Sequence, residues 1–139
     1  MKSADKERKT YYITTLGCKV NQCESDAIGQ SLKASGWVPA AVKTEAEIHI
    51  VNTCAVTGKA AMQSRQEIRR AVRSAPSSRV IVTGCYAQVE PEETDKIDGV
   101  SLIIGQALKH RIADLVEPVC KKKRSTSKTV YLMMQRMRL

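Results

Sequence analysis

Phenylalanine is absent from this 139-residue chain, and the other aromatic residues are scarce, with one Trp and four Tyr. Any core built from it is therefore aliphatic. No CxxC pair occurs. That removes the close ligand pairs of ordinary structural zinc sites and the dithiol of thioredoxin-like redox chemistry. No P-loop, GxGxxG, HExxH or GxSxG is present, so no short motif supports nucleotide binding, zinc proteolysis or serine hydrolysis. Only two histidines occur, His49 within an apolar run and His110 on a late helical segment. A cysteine nucleophile needs a positioned base, and both histidines read as structural. No apolar run approaches the ~18–20 residues that span a bilayer. The opening MKSADKERKT lacks the apolar stretch of a secretory signal. Five cysteines, an odd number without such a signal, argue for a reducing compartment and against a disulfide framework. The expectation is a cytoplasmic protein without a membrane partner.

The formal charge of +9 suggests nucleic acid until it is located. Residues 121–139 carry seven basic residues and no acidic one, and residues 1–9 carry four basic and two acidic. Residues 10–120 are balanced at 12 of each sign. The basicity belongs to the ends, and the body is formally neutral. The chain divides into a polar extension at 1–9, one compact domain at 10–117, and a basic tail at 118–139 that is expected to be disordered.

What is present is a pattern of cysteines. Cys18, Cys54 and Cys85 each close a short apolar run, in TTLGC, HIVNTC and VIVTGC. If the runs are parallel strands of one sheet, all three thiols meet at its ligand-binding edge. Glycine precedes Cys18 and Cys85, where it lets the backbone approach a bulky group closely. Three convergent thiols without a histidine partner suggest a soft metal site, most simply iron–sulfur. Cys23 is available as a fourth ligand, which leaves zinc open, although its place in a first helical turn suits that role poorly.

The segments between support a parallel sheet. Strands are expected at 11–17, 47–53, 79–84 and 101–105, with a short edge strand between Trp37 and Val42 that Pro39 interrupts. Helices are expected after Asn21 as cap, stopping at Gly36; from about 58 to 74 behind Thr57 as cap; after Pro91; and over 107–116. Helix N-termini just after Cys18 and Cys54 favour thiolate charge. Alternating strand and helix imply an α/β fold, an open, mostly parallel sheet with helices on both faces (Rossmann/flavodoxin-like). Arg65, Arg69 and Arg73 lie four apart on one helix with Arg70 beside them. They suit contact with RNA phosphate or with another protein domain, and a solvated helix face is the simpler reading. Asn52, Thr53 and Thr83 flank the cysteines as hydrogen-bonding groups for cluster sulfur or as ordinary strand-end residues.

TLGCKVNQCES, VNTCAVTGKAAMQSRQEIRRA and VTGCYAQVEPEE resemble, in order and spacing, the three signature segments of the amino-terminal domain of radical-SAM tRNA methylthiotransferases. The middle segment most resembles the branch acting on threonylcarbamoyladenosine. The resemblance covers about residues 10–116. It implies that Cys18, Cys54 and Cys85 hold an auxiliary [4Fe–4S] cluster with one open iron. That iron would carry sulfur bound for C2 of an adenosine at position 37 of tRNA. Cys23 then stands where the family has a non-ligand residue. The family's radical-SAM domain, with its CxxxCxxC triad, its S-adenosylmethionine and its second [4Fe–4S] cluster, has no counterpart among these residues, where the only later cysteine is Cys120. The resemblance thus implies a domain that needs a radical-SAM partner in cis or trans, cut before that domain and inactive alone. A binding module remains the alternative: a stand-alone iron–sulfur or zinc α/β domain without catalysis.

Overall fold

The computed structural model describes residues 9–17, 19–42, 45–54, 57–74, 78–89, 91–97, 99–105, 112–121 and 129–131. Six strands form one sheet: β1 (Thr10–Thr15), β2 (Val38–Pro39), β3 (Ile48–Thr53), β4 (Arg79–Gly84), β5 (Val100–Ile104) and β6 (Thr129–Tyr131). Their order is β2-β1-β3-β4-β5-β6, and every pairing is parallel. The helices between them are α1 (Lys19–Ala34), α2 (Gly58–Ser74), α3 (Cys85–Val89), α4 (Pro91–Asp95) and α5 (Ile112–Lys121). This is the flavodoxin-like order, in which succession along the sheet reverses between β1 and β3.

The central strands read as continuous apolar runs because both their faces are covered. All six residues of β3 and of β4 are buried. Alternate side chains feed two cores. On one face Ile48, Ile50, Ile81, Leu102 and Ile104 pack with Ile28 and Leu32 of α1 and Ile112, Ala113 and Val116 of α5. On the other, Val51, Val80, Val82 and Ile103 pack with Ile68 and Ala71 of α2 and Tyr86 and Ala87 of α3. The cores are aliphatic, as a chain without Phe requires; Trp37 and Tyr86 are their largest members.

The helix signals at Thr57 and Gly36 both hold. Thr57 Oγ1 accepts from the Ala60 amide at 3.0 Å, a side-chain cap. Gly36 ends α1 at φ +98°. Its amide bonds Lys33 O at 3.0 Å and the Trp37 amide bonds Leu32 O at 2.9 Å, the paired contacts of a Schellman stop. Pro91 opens α4, and Val38–Pro39 is the short edge strand.

Three expectations need correction. Asn21 does not cap α1, which starts two residues earlier and uses that side chain otherwise, as shown below. The last described helix covers Ile112–Lys121, running past the end at 116 that the sequence suggested; residues 106–111, with His110 and the expected start at 107, lie outside the described residues. The expected tail at 118–139 is interrupted: α5 passes 118, and Thr129–Tyr131 pair with Leu102–Ile104. A short run of β-branched and apolar residues suffices for an edge strand when a parallel template stands beside it. His49 has the expected structural role. It is fully buried, its Nε2 lies 2.7 Å from Thr14 Oγ1, and its ring meets Tyr12 edge-on at 5.3 Å. Among the described residues no helix is long and apolar enough to cross a membrane.

Gly36 and Gly84 share a left-handed backbone, φ +98° and +101°, but differ in surroundings. A Cβ on Gly36 would meet nothing within 4 Å, whereas one on Gly84 would overlap the Thr53 backbone and stand 2.8 Å from Asn52 Oδ1. Gly36→Ala is expected to cost about 1 kcal/mol for its dihedral alone. Gly84→Ala adds a clash and should cost at least about 2 kcal/mol more. Urea midpoints of the two variants check the ranking, and equal losses would show that the strand end yields freely.

Candidate functional site

The C-terminal edge of the sheet is built around β1, β3 and β4. Thr53 and Gly84 are paired in the parallel register, so the residues that follow them, Cys54 and Cys85, leave neighbouring strands side by side. Such strands lie about 4.7–4.9 Å apart. Cys54 is buried, with 8% of its surface exposed, Cys85 is half-buried at the first turn of α3, and neither forms a disulfide. Cys18 lies outside the described residues, so the three sulfurs are not compared directly. Its neighbour Gly17 is described. At φ +94°, a Cβ placed on Gly17 would stand 2.9 Å from both Cβ and Sγ of Cys54. The loop after β1 thus presses bare backbone against the Cys54 thiol at the reversal of strand order. Cys23 is exposed on α1, away from this buried contact. Among the described residues no three Cys, His, Asp or Glu side chains group closely enough to hold a metal ion.

Buried polar groups hold the edge. The Asn21 Nδ2 donates to Leu16 O at 2.6 Å and Thr53 O at 3.0 Å, with Asn52 O at 3.4 Å. Asn52 Nδ2 returns the contact, donating to Asn21 O at 3.1 Å and Ser25 Oγ at 3.0 Å. Ser25 Oγ also lies 2.6 Å from Thr15 Oγ1. The ends of β1 and β3 and the first turns of α1 are therefore one network. Asn52 Oδ1 is buried and has no partner among the described residues. It faces Gly84, which a larger residue would displace.

A second clamp acts on Cys54. Ser64 Oγ, buried on α2, accepts from the Cys54 amide at 3.1 Å and donates to its carbonyl at 2.8 Å. Thr53 Oγ1 donates to Thr83 O at 2.7 Å and accepts from the Tyr86 amide at 3.1 Å. Thr83 Oγ1 donates to Ile104 O at 2.9 Å. Both threonines thus stitch backbone at the strand ends. Of the two roles open to them in the sequence, these bonds are the strand-end one. Arg65 is drawn inward, its guanidinium 6.0 Å from the Tyr86 ring centroid and 3.5 Å from the Tyr86 hydroxyl.

The sequence pointed to the cysteines and overlooked their supports. Ser25 lies four residues after Asn21, and Ser64 stands between Ala61 and Ile68 at helical spacing. A small hydroxyl on an inward helix face is the signal that was available. The chemistry of the edge is that of a buried and a half-buried thiol leaving neighbouring strands, with Gly17, one residue before a third cysteine, packed on the first of them. Soft donors of this kind suit iron–sulfur or another thiophilic metal.

Two substitutions test the clamps. Ser64→Ala leaves a buried amide and carbonyl of Cys54 without partners and should cost about 1–3 kcal/mol. Asn21→Ala should cost a similar amount. Asn21→Asp should cost more, because it turns an anionic oxygen toward three carbonyl oxygens. Chemical denaturation of the three variants at neutral pH gives the order, and an aspartate variant as stable as Asn21→Ala would contradict the donor role.

Known proteins resemble this chain in part. The Bacillus subtilis threonylcarbamoyladenosine tRNA methylthiotransferase MtaB is 44% identical over 96 residues, 69% of this chain and 21% of that protein. The corresponding Aquifex aeolicus protein is 36% identical over 103 residues, covering 74% and 25%. The Sphingopyxis alaskensis tRNA-2-methylthio-N(6)-dimethylallyladenosine synthase is 33% identical over 110 residues, covering 78% and 25%. The chain spans between a fifth and a quarter of the length of these curated relatives. Residues 10–105, the span from β1 to the end of β5, match the family described as "Uncharacterized protein family UPF0004", and the chain belongs to that family.

Proposed function

We propose that residues 10–117 are the auxiliary-cluster domain of a tRNA methylthiotransferase, with Cys18, Cys54 and Cys85 as the three protein ligands of a [4Fe–4S] cluster. The observation that carries this reading is the pairing of Thr53 with Gly84. It sets two cysteines side by side, while Gly17, one residue before the third, packs on the Cys54 sulfur. The donor set fits the group. Neither described cysteine is tied up in a disulfide, glycines stand where backbone must come close, and the edge is shielded on the α1 and α2 sides. When bound, a cluster with three protein ligands supplies one iron open to an external sulfur ligand.

The chain's own residues do the holding. Ser64 fixes the backbone of Cys54 from both sides. Asn21 and Asn52 fix the loops that leave β1 and β3. Thr53 holds the start of α3, and with it Cys85. A preorganised set of thiols takes up a cluster without moving the sheet and limits access of water to it. Cys23, exposed on α1, is left outside the ligand set.

The relatives named as acting on threonylcarbamoyladenosine tRNA are among the most similar, and this supports the same modified adenosine as substrate. A tRNA substrate implies a cytoplasmic site of action. Methylthiolation also needs S-adenosylmethionine cleavage and a second cluster, for which these 139 residues carry no CxxxCxxC triad. A radical-SAM domain, in cis or in trans, completes the activity.

Anaerobic reconstitution should give about four irons and four sulfides per chain. Cys18→Ala, Cys54→Ala and Cys85→Ala should each reduce this severalfold, and Cys23→Ala should retain it. Loss of iron in the Cys23 variant would make that residue a ligand and refute the open-iron reading. Zinc without sulfide in the purified chain would favour the stand-alone zinc module. The 139-residue chain given S-adenosylmethionine, reductant and tRNA is expected to form no product.

A further inference from the structure

The arginine ladder of α2 is divided by the fold. Arg65 turns inward to Tyr86, and Arg70 is exposed and pairs with Glu67 at 3.2 Å. Arg69 and Arg73 remain, one turn apart, and neither has an ion-pair partner among the described residues. Together with Lys96 they line one cavity of about 310 Å³ whose apolar wall is Val72 and Ile97. Lys96 has an exposed partner, Glu93, at 3.4 Å, and none of the described residues that line the cavity is acidic. Like charges one turn apart on a helix repel, so folding alone gives no reason to place both guanidiniums there.

We infer that this cavity is a phosphate-binding site that receives the sugar–phosphate backbone of RNA. Planar guanidiniums match phosphate oxygens with paired donors. A third cation beside two unpaired arginines suits a charge-rich, repeating polyanion better than a single carboxylate. The volume lies at the low end of ligand sites, ~300–1,000 Å³, which is room for a nucleotide unit. The site is distinct from the cysteine edge. α2 starts beside that edge, and Arg69 and Arg73 stand roughly 17–22 Å along the helix from its first residue, at 1.5 Å per residue. One RNA molecule would thus be gripped at the far end of α2 while another part of it reaches the thiols. The inference rests on the proposed tRNA substrate and adds where the RNA is held.

The test uses the full chain and a fluorescently labelled anticodon stem-loop RNA, with binding followed by anisotropy from 50 to 200 mM KCl. Arg69→Glu/Arg73→Glu should weaken binding about tenfold or more and lower the slope of log affinity against log salt by about 2. The charge-matched Lys33→Glu/Arg70→Glu should change affinity less than about threefold. Thermal melts confirm that both double variants fold. Equal effects of the two pairs would reduce the site to net charge and overturn the inference, as would a wild-type chain that does not bind the RNA. Binding of an acidic peptide in place of RNA would assign the cavity to a protein partner and overturn it too. Iron content per chain is expected to be the same in wild type and both double variants, so failure of the cluster reading would be seen separately.

Discussion

The contact between Asn21 and Asn52 is the constraint on which the cysteine edge depends. Parallel strands end by exposing carbonyls, and here those of Leu16 and Thr53 are enclosed by helix and loop beside that of Asn52, which already accepts from the Leu16 amide. A primary amide is the one side chain that can donate twice from a single nitrogen and remain neutral. Asn21 does this for Leu16 and Thr53, with Asn52 O close by, and the Asn52 amide bonds back to the Asn21 carbonyl. The exchange joins α1 to the ends of β1 and β3, so Leu16, Asn52 and Thr53 are held to one another through Asn21.

Much of the architecture was legible from the chain. The apolar runs ending in Cys54 and Cys85 are strands because β-branched residues fill both faces; the second matches its expected range of 79–84, and the first starts one residue later than the expected 47. The caps at Thr57 and Gly36 were readable because their chemistry is local. Asn21 was misread for the same reason: its type and position satisfy the capping pattern, but capping uses the side-chain oxygen, whereas this edge uses its nitrogen. That choice is set by carbonyls 5 to 32 residues distant in sequence, which no local pattern reveals. β6 was missed because a three-residue strand gains its stability from β5, and the sequence shows only the basic residues before it.

The candidate site divides along the same line. That Cys54 and Cys85 emerge together follows from strand periodicity, parallel order and equal run lengths, all visible in the sequence. That Ser64 would bond both backbone atoms of Cys54 does not. It needs α2 to lie across β3 at a particular rotation, which is fixed by Ile68 and Ala71 entering the core. The arginines show the limit most sharply. Helical spacing made Arg65, Arg69 and Arg73 equivalent, but the burial of Tyr86 beside Cys85 draws only the first of them inward.

In the reading proposed above, α2 has two ends with different chemistry. Its first turns face the cysteine edge, where Ser64 and Arg65 serve the backbone and the aromatic ring behind the thiols. Its last turns carry two exposed guanidiniums with no ion-pair partner among the described residues. A thiolate-bound cluster is anionic, and so is RNA, so the two must approach each other against repulsion. Over the roughly 20 Å of this helix, exceeding the ~8 Å screening length at physiological salt, cations at the far end do little for the charge of a cluster. They can lower the cost of bringing RNA to the same domain without neutralising the thiolates. The neutral balance of residues 10–120 fits this division. Charge is concentrated on one helix end and set apart from the thiol edge by a rigid element, so binding and sulfur chemistry can be altered separately.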